Sequence, residues 1–312
     1  MRAILLGTAA GGGFPQWNCA CQMCARAGKP GVPARTQDCV AISANDVDWY
    51  LLNASPDIRT QLMSSVRLTP GPGVRQTPLR AVLLTDAELD HVTGLLALRE
   101  GTLQVYATRT VLTALRDHLP LQSVLAGYQG WEWHEIRPGL PFTLEGRPAG
   151  AESAILRVTA TVVGDKRPKY VQTSDEESSA DGESWVVAYR IEDPATGGVL
   201  VYAPCLPHWS PAMDALVEDA SCVLLDGTFH GPSEMAGATG NRVGGTAQRT
   251  MGHLPISGPN GSLSALRRHP GVRRVYTHLN NTNPVLDAGS PQRAELVAAG
   301  AEVLDDGTEL VL

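Results

Sequence analysis

Short apolar runs recur along the chain at residues 2–7, 40–43, 49–53, 80–84, 104–107, 156–163, 185–191, 199–203, 222–225 and 272–277. Runs of this length, closed by Gly, Pro, Asn or Asp, have the pattern of buried strands. A last strand is expected at 302–304 or 310–312. Helices are predicted over 58–65, 92–99, 108–118 and 291–299, so strands and helices alternate and the predicted class is α/β. No sequence repeat is visible, yet the chain reads as two similar series of strands and helices.

Polar groups appear again and again where an apolar run ends. Asn53, Ser55 and Asp57 follow one strand; Asp86, Glu88, Asp90 and His91 follow the next; Cys205, Asp226 and His278 each follow a later one. Strand ends on one side of a layered sheet converge on a crevice, so these residues can meet although they are distant in sequence. Asp, Glu and His together serve as metal ligands or acid–base groups. The plainer reading of 86–91 is a solvated loop that caps a helix, and Ser55 likewise fits a helix cap. The His253 turn, Met-Gly-His, is a further candidate.

Composition narrows the classes. The chain has 312 residues, 43% of them hydrophobic and 18% charged, which suits a globular protein. A formal charge of −7 repels polyanions, so no nucleic-acid partner is expected. No apolar run approaches the roughly 20 residues needed to cross a bilayer, and the N-terminus lacks a signal-peptide pattern. A cytoplasmic protein with no membrane partner is expected. Residues 173–184, TSDEESSADGES, are acidic and Ser-rich and are expected to form a flexible surface loop.

Of six cysteines, Cys19, Cys21 and Cys24 share one short loop at 16–25. In a reducing compartment a C-x-C-x-x-C cluster reads as metal binding sooner than as disulfides. Zinc would hold three such thiolates deprotonated but needs a fourth ligand from elsewhere, and three free thiols are the alternative.

The stretch TDAELDHVTGL resembles the T-H-x-H-x-D-H-x-x-G-L signature of the metallo-beta-lactamase superfamily, with Asp86 and Glu88 in place of the first two histidines. Together with GTAAGGGFPQWNCACQMC, NASPDIR, LLDGTF, MGHLPISG and THLNNTNPVLD, it resembles the family of pyrroloquinoline quinone biosynthesis B proteins. The resemblance runs nearly end to end. It implies a single domain over 1–312 with a four-layered αββα metallo-beta-lactamase-like sandwich.

In dinuclear relatives one metal is held by the two replaced histidines and a third from mid-chain, and residues 162–170 contain no histidine. The signature residues that remain, with a C-terminal histidine, match Asp90, His91 and His278. The superfamily's bridging Asp corresponds to Cys205. The resemblance therefore implies one active-site Fe(II) on Asp90, His91 and His278, with dioxygen as co-substrate. The implied reaction is hydroxylation of a cross-linked glutamate–tyrosine intermediate derived from a small peptide. Asp226 and His253 are expected as a fourth metal ligand or as acid–base groups, Asp86 and Glu88 as groups that bind substrate ammonium or orient ligands, and Asn53, Ser55 and Asp57 as substrate contacts.

Related phosphodiesterases carry a similar cysteine loop with a structural zinc and a distant histidine. The matching position here is Asn281, a poor zinc ligand, so His269 is the expected fourth ligand. Other quinone-biosynthesis enzymes and a second copy of the chain are the expected protein partners. A quinone carrier with a transport role, or a metal-dependent hydrolase, are the alternative functions.

Overall fold

Alternation along the strands divides their side chains between two cores. In the computed structural model, which describes residues 1–128, 130–146, 155–172, 184–232, 234 and 251–312, Leu5, Ile42, Leu52 and Leu83 belong to one apolar cluster with Tyr189, Leu200 and Leu224. Their neighbours in sequence, Ile4, Leu51, Leu84, Val201 and Leu225, belong to a second cluster shared with helical residues such as Val111, Leu115, Met213 and Leu266. Strands buried on both faces read as continuous apolar runs. Each fully buried Leu contributes about 2 kcal/mol.

The strands are β1 (Arg2–Gly7), β2 (Cys39–Ser43), β3 (Trp49–Leu52), β4 (Leu79–Leu83), β5 (Leu103–Thr108), β6 (Trp131–Ile136), β7 (Phe142–Glu145), β8 (Ile155–Gly164), β9 (Val186–Glu192), β10 (Val199–Ala203), β11 (Cys222–Asp226), β12 (Arg273–Thr277), β13 (Ala301–Glu302) and β14 (Glu309–Val311). They form two sheets of seven, ordered β14-β1-β2-β3-β4-β5-β6 and β13-β12-β11-β10-β9-β8-β7. In the first, β14 to β3 pair antiparallel and β3 to β6 parallel. In the second, β7 to β10 pair antiparallel and β10 to β13 parallel. The two series read from the sequence are thus two copies of one plan, and β14 returns from the second to the edge of the first.

The helices are α1 (Ile58–Ser64), α2 (Leu89–Val92), α3 (Arg109–Asp117), α4 (Leu121–Leu125), α5 (Pro211–Val217), α6 (Ser262–Leu266) and α7 (Pro291–Ala298). With their apolar sides in the second cluster they cover the outer faces, which gives the expected four-layered αββα sandwich. Among the described residues no helix is long and apolar enough to cross a membrane. The loop expected at 173–184 lies, apart from Ser184, outside the described residues.

The predicted helix at 92–99 is instead the short α2 followed by a 3-10 turn at Thr93–Leu96. Gly94 is the cause. Its N–H donates to Ala54 O at 2.9 Å, and a Cβ there would lie 2.2 Å from Ser55 O. This contact docks α2 against the loop after β3 and aims His91 inward. Gly94→Ala is expected to lower stability by about 3 kcal/mol, read as a fall in the denaturant midpoint at unchanged slope.

Candidate metal centre

The candidate residues sit where the parallel strands end. After β4, Thr85 donates its backbone N–H to Asn53 Oδ1 at 2.9 Å and its hydroxyl lies 2.9 Å from Asp86 Oδ2. Asp86 Oδ1 accepts from Glu88 N–H at 2.9 Å and from His91 Nδ1 at 2.8 Å. Asp86 is 1% exposed and its oxygens are already engaged by the protein. Of the two roles expected for Asp86, the geometry is that of orienting a ligand, His91, rather than binding substrate ammonium. The reading of this loop as a solvated helix cap is corrected, because Asp86 is buried and the helix that starts at Leu89 has no side-chain cap.

With Nδ1 given to Asp86, His91 turns Nε2 the other way, and that atom is buried with no hydrogen-bond partner. His278 closes β12 in the left-handed region at φ 54°, a conformation uncommon for a residue with a side chain and frequent at functional sites. Its Nδ1 lies 2.8 Å from Thr228 Oγ1, and its Nε2 is likewise buried without a partner. Thr228 Oγ1 is also 2.7 Å from Asp226 Oδ1. A hydroxyl that donates to the carboxylate must accept from the imidazole, which fixes the His278 tautomer with the Nε2 lone pair facing the cleft. Asp90 Oδ2 stands 3.7 Å from His91 Nε2 and 3.4 Å from His278 Nε2. A Cβ on Gly11 would come within 3.0 Å of that same oxygen, so the glycine loop after β1 closes over Asp90.

Cys205 joins this group: His91, Cys205 and His278 each present a ligand atom within 4.8 Å of the others. Asp226, His253 and His278 form a second trio by the same measure. Asp226 is nevertheless engaged on both oxygens, Oδ2 by Leu206 N–H at 2.8 Å and His253 Nδ1 at 2.9 Å, Oδ1 by the Thr228 N–H at 3.0 Å. Its expected acid–base role is therefore corrected to one of orienting His253 and Thr228. The His253 ring stacks on His278 with centroids 5.3 Å apart, which keeps it a candidate proton-transfer group.

Charges in this cleft act strongly on one another. Burial works against a charged His91, but Asp86 and Asp90 outweigh it and push the imidazole up to about 10. Burial likewise disfavours ionised Asp90, yet His91 and His278 hold it well below the ordinary carboxylate range. Burial, reinforced by Asp86 and Asp226, pushes the Cys205 thiol well above its usual value, a tendency that a bound cation would reverse. The His91 proton stabilises the metal-free fold in full below about pH 6.5, and that contribution is lost as pH climbs through about 10. A metal ion must displace this proton. Uptake at pH 7 is expected to release about one proton from His91, with affinity rising as pH approaches 10; calorimetry in buffers of different ionisation enthalpy reads the count.

The chain matches the Beta-lactamase superfamily domain over residues 48–279. It is 42% identical, over 99% of both chains, to coenzyme PQQ synthesis protein B of Pseudomonas fluorescens strain Pf0-1, and 41% identical, again over 99% of both, to that of Methylococcus capsulatus. The chain belongs to the coenzyme PQQ synthesis protein B family of the beta-lactamase superfamily. A crystal structure of zinc-bound PqqB from Methylobacterium extorquens superposes with a TM-score of 0.87 at 34% identity, covering both chains in full. A diphosphatase of the PhnP family, 17% identical over 99% of this chain and 97% of its own, shares the fold with a TM-score of 0.65.

In this chain the cysteine loop forms a separate cluster. Cys19, Cys21 and Cys24 hold their sulfurs within 4.8 Å of one another, a set that fits zinc. The Cys21 N–H, 3.5 Å from Cys19 Sγ, helps draw the Cys19 thiol down, while burial pushes Cys24 up. The fourth neighbour is Asn281, whose Nδ2 is 3.2 Å from Cys24 Sγ. His269 is not at this site: its Nε2 is 2.8 Å from Asp214 Oδ1 on α5, beside Trp209 and Arg268. The zinc role expected for His269 is corrected: the side chain beside the three sulfurs is that of Asn281, which turns its amide nitrogen toward Cys21 and Cys24.

The expected substrate contacts are also corrected. Asn53 is fully buried at φ 64° and its amide joins Thr85 to the Tyr202 hydroxyl at 3.1 Å. Ser55 bonds Gln61 Oε1 at 2.9 Å, and Asp57 accepts from the Gln37 backbone at 2.9 Å. These polar groups brace loops, because buried polar atoms take the nearest available partners. Sequence reading missed Thr228, which lies in the quoted LLDGTF motif, and Lys166, in a segment searched only for histidine. It also missed Asp38, a buried carboxyl that accepts from Tyr202 and Thr277 between the sheets.

Proposed function

We propose that this chain is a ferrous-iron-dependent hydroxylase of pyrroloquinoline quinone biosynthesis, acting on a glutamate–tyrosine intermediate derived from a small peptide. The observation that carries the reading is the pair of buried, partnerless Nε2 atoms of His91 and His278 facing one Asp90 oxygen at 3.7 and 3.4 Å. Two histidines and one carboxylate with room for further ligands form the donor set of mononuclear non-haem iron sites. Ferrous iron held there would supply activation of dioxygen, the co-substrate.

The protein's own groups bind and orient. Asp86 fixes His91, and Thr228, itself held by Asp226, fixes His278. Asp226 accepts from His253 Nδ1, which leaves His253 Nε2 to take the phenolic proton of the substrate and return it. Asp86 and Asp226 are saturated by protein donors, so a second ion would find neither carboxylate free, and this disfavours two-metal hydrolysis.

Anaerobic loading with Fe(II), followed by oxygen uptake with the glutamate–tyrosine substrate and a chemical reductant that supplies the two electrons needed to release the second oxygen atom as water, tests the reading, and a product heavier by one oxygen atom is expected. Tight quinone binding without turnover after loading would favour a carrier, and cleavage of a phosphodiester or lactam would favour a hydrolase. Replacing His253 with Ala is expected to lower turnover about 100-fold at unchanged iron content, the usual scale for one positioned acid–base group.

A further inference from the structure

Lys166 follows β8, and its stem crosses the backbone of Gly252 so closely that a Cβ there would lie 2.8 Å from Lys166 Cδ. Gly252 directly precedes His253. The other end of the stem brings the ammonium to 2.8 Å from Glu88 Oε1, on the loop that carries Asp90 and His91. The ion pair therefore spans one rim of the metal cleft, from the His253 turn to the loop after β4. Its side chains are 29% and 24% exposed, so each charge is partly stripped of water and partly open. Burial works against the ammonium, but Glu88, helped by Asp86, more than offsets it and keeps Lys166 charged.

Holding two loops together does not call for such a pair, because desolvating two charges offsets most of their attraction, and apolar contact does the same with less penalty. An ion pair that stays open at the edge of a cleft offers a cation and an anion side by side. A free α-amino-acid head group carries the complementary pair. A residue inside a peptide carries neither charge.

We propose that Glu88 and Lys166 form the receptor for a free α-amino-acid head group, with the substrate carboxylate on Lys166 and its ammonium on Glu88. The site thereby selects a released amino acid over the same side chain within a peptide, and it holds that side chain beside Asp90, His91 and His278. The assignment deepens the hydroxylase reading and rests on it for the reaction, though not for the binding.

Titration calorimetry of the zinc-loaded protein with L-tyrosine, L-tyrosinamide and N-acetyl-L-tyrosine tests it without oxygen or turnover, so failure of the hydroxylase reading is seen separately. Wild-type protein is expected to bind tyrosine at least about tenfold more tightly than either blocked probe. Lys166→Met should abolish the preference over the amide, and Glu88→Gln the preference over the N-acetyl form. The double variant, which leaves no charge unpaired and guards against misfolding, should keep its zinc and bind all three probes alike. No measurable binding of tyrosine by the wild type, or preferences that persist in the double variant, would overturn the proposal.

Discussion

Replacing His91 with alanine is expected to remove the active-site metal and reduce turnover by at least about a thousandfold. It should also lower stability by about 3 kcal/mol, since Asp86 would be left a buried carboxylate without its imidazole partner. Loss of activity in that variant alone would thus be ambiguous. His91→Gln can still donate to Asp86 and is expected to unfold near the wild type while binding no iron. Metal analysis beside thermal unfolding separates the two effects, and a His91→Gln protein with full iron content would show that the centre lies elsewhere.

The cysteine cluster predicts the opposite balance. Cys21→Ala leaves two sulfurs and should cost about 3–5 kcal/mol, roughly 5–10 °C in melting temperature, together with one zinc per chain. Iron at Asp90, His91 and His278 should still load at low temperature. A chelator that strips this zinc should likewise destabilise wild-type protein before it affects the rate at sub-melting temperatures. A Cys21→Ala protein of unchanged melting temperature would mean that the three thiols hold no structural ion.

Much of this was legible because burial on both faces and β-strand alternation leave a direct mark on sequence. The strand runs, the two similar series and the placing of polar groups at strand ends all appear in the structure. Asp90, His91 and His278 could be named because their positions follow strand ends and match a signature. What failed were assignments of the direction a side chain takes. Asp86 and Asp90 are the same residue type four positions apart, but one is consumed by Thr85, Glu88 and His91 while the other faces the cleft. Residue type and spacing do not fix which; only the resemblance to the signature sets Asp90 apart as the ligand. Asn53 and His269 failed for a related reason: their partners, Tyr202 and Asp214, come from strands and helices whose proximity is set only by the folded sheets. Lys166 was overlooked because a cation that pairs with an acid leaves no spacing pattern.

The doubling of the sheet plan bears on more than architecture. Asp90 and His91 are carried by the first series of strands, Cys205, Asp226 and His278 by the second, so an ion bound between them is a rivet across two lobes. By thermodynamic reciprocity, whatever the ion contributes to holding the lobes in register, the packing of the lobes returns as affinity for the ion. Removing both γ-methyl groups from one side chain in the seam between the sheets, as in Val187→Ala, touches no ligand and should nonetheless loosen metal binding. Affinity for the ion thereby becomes a remote gauge of how well the two lobes fit.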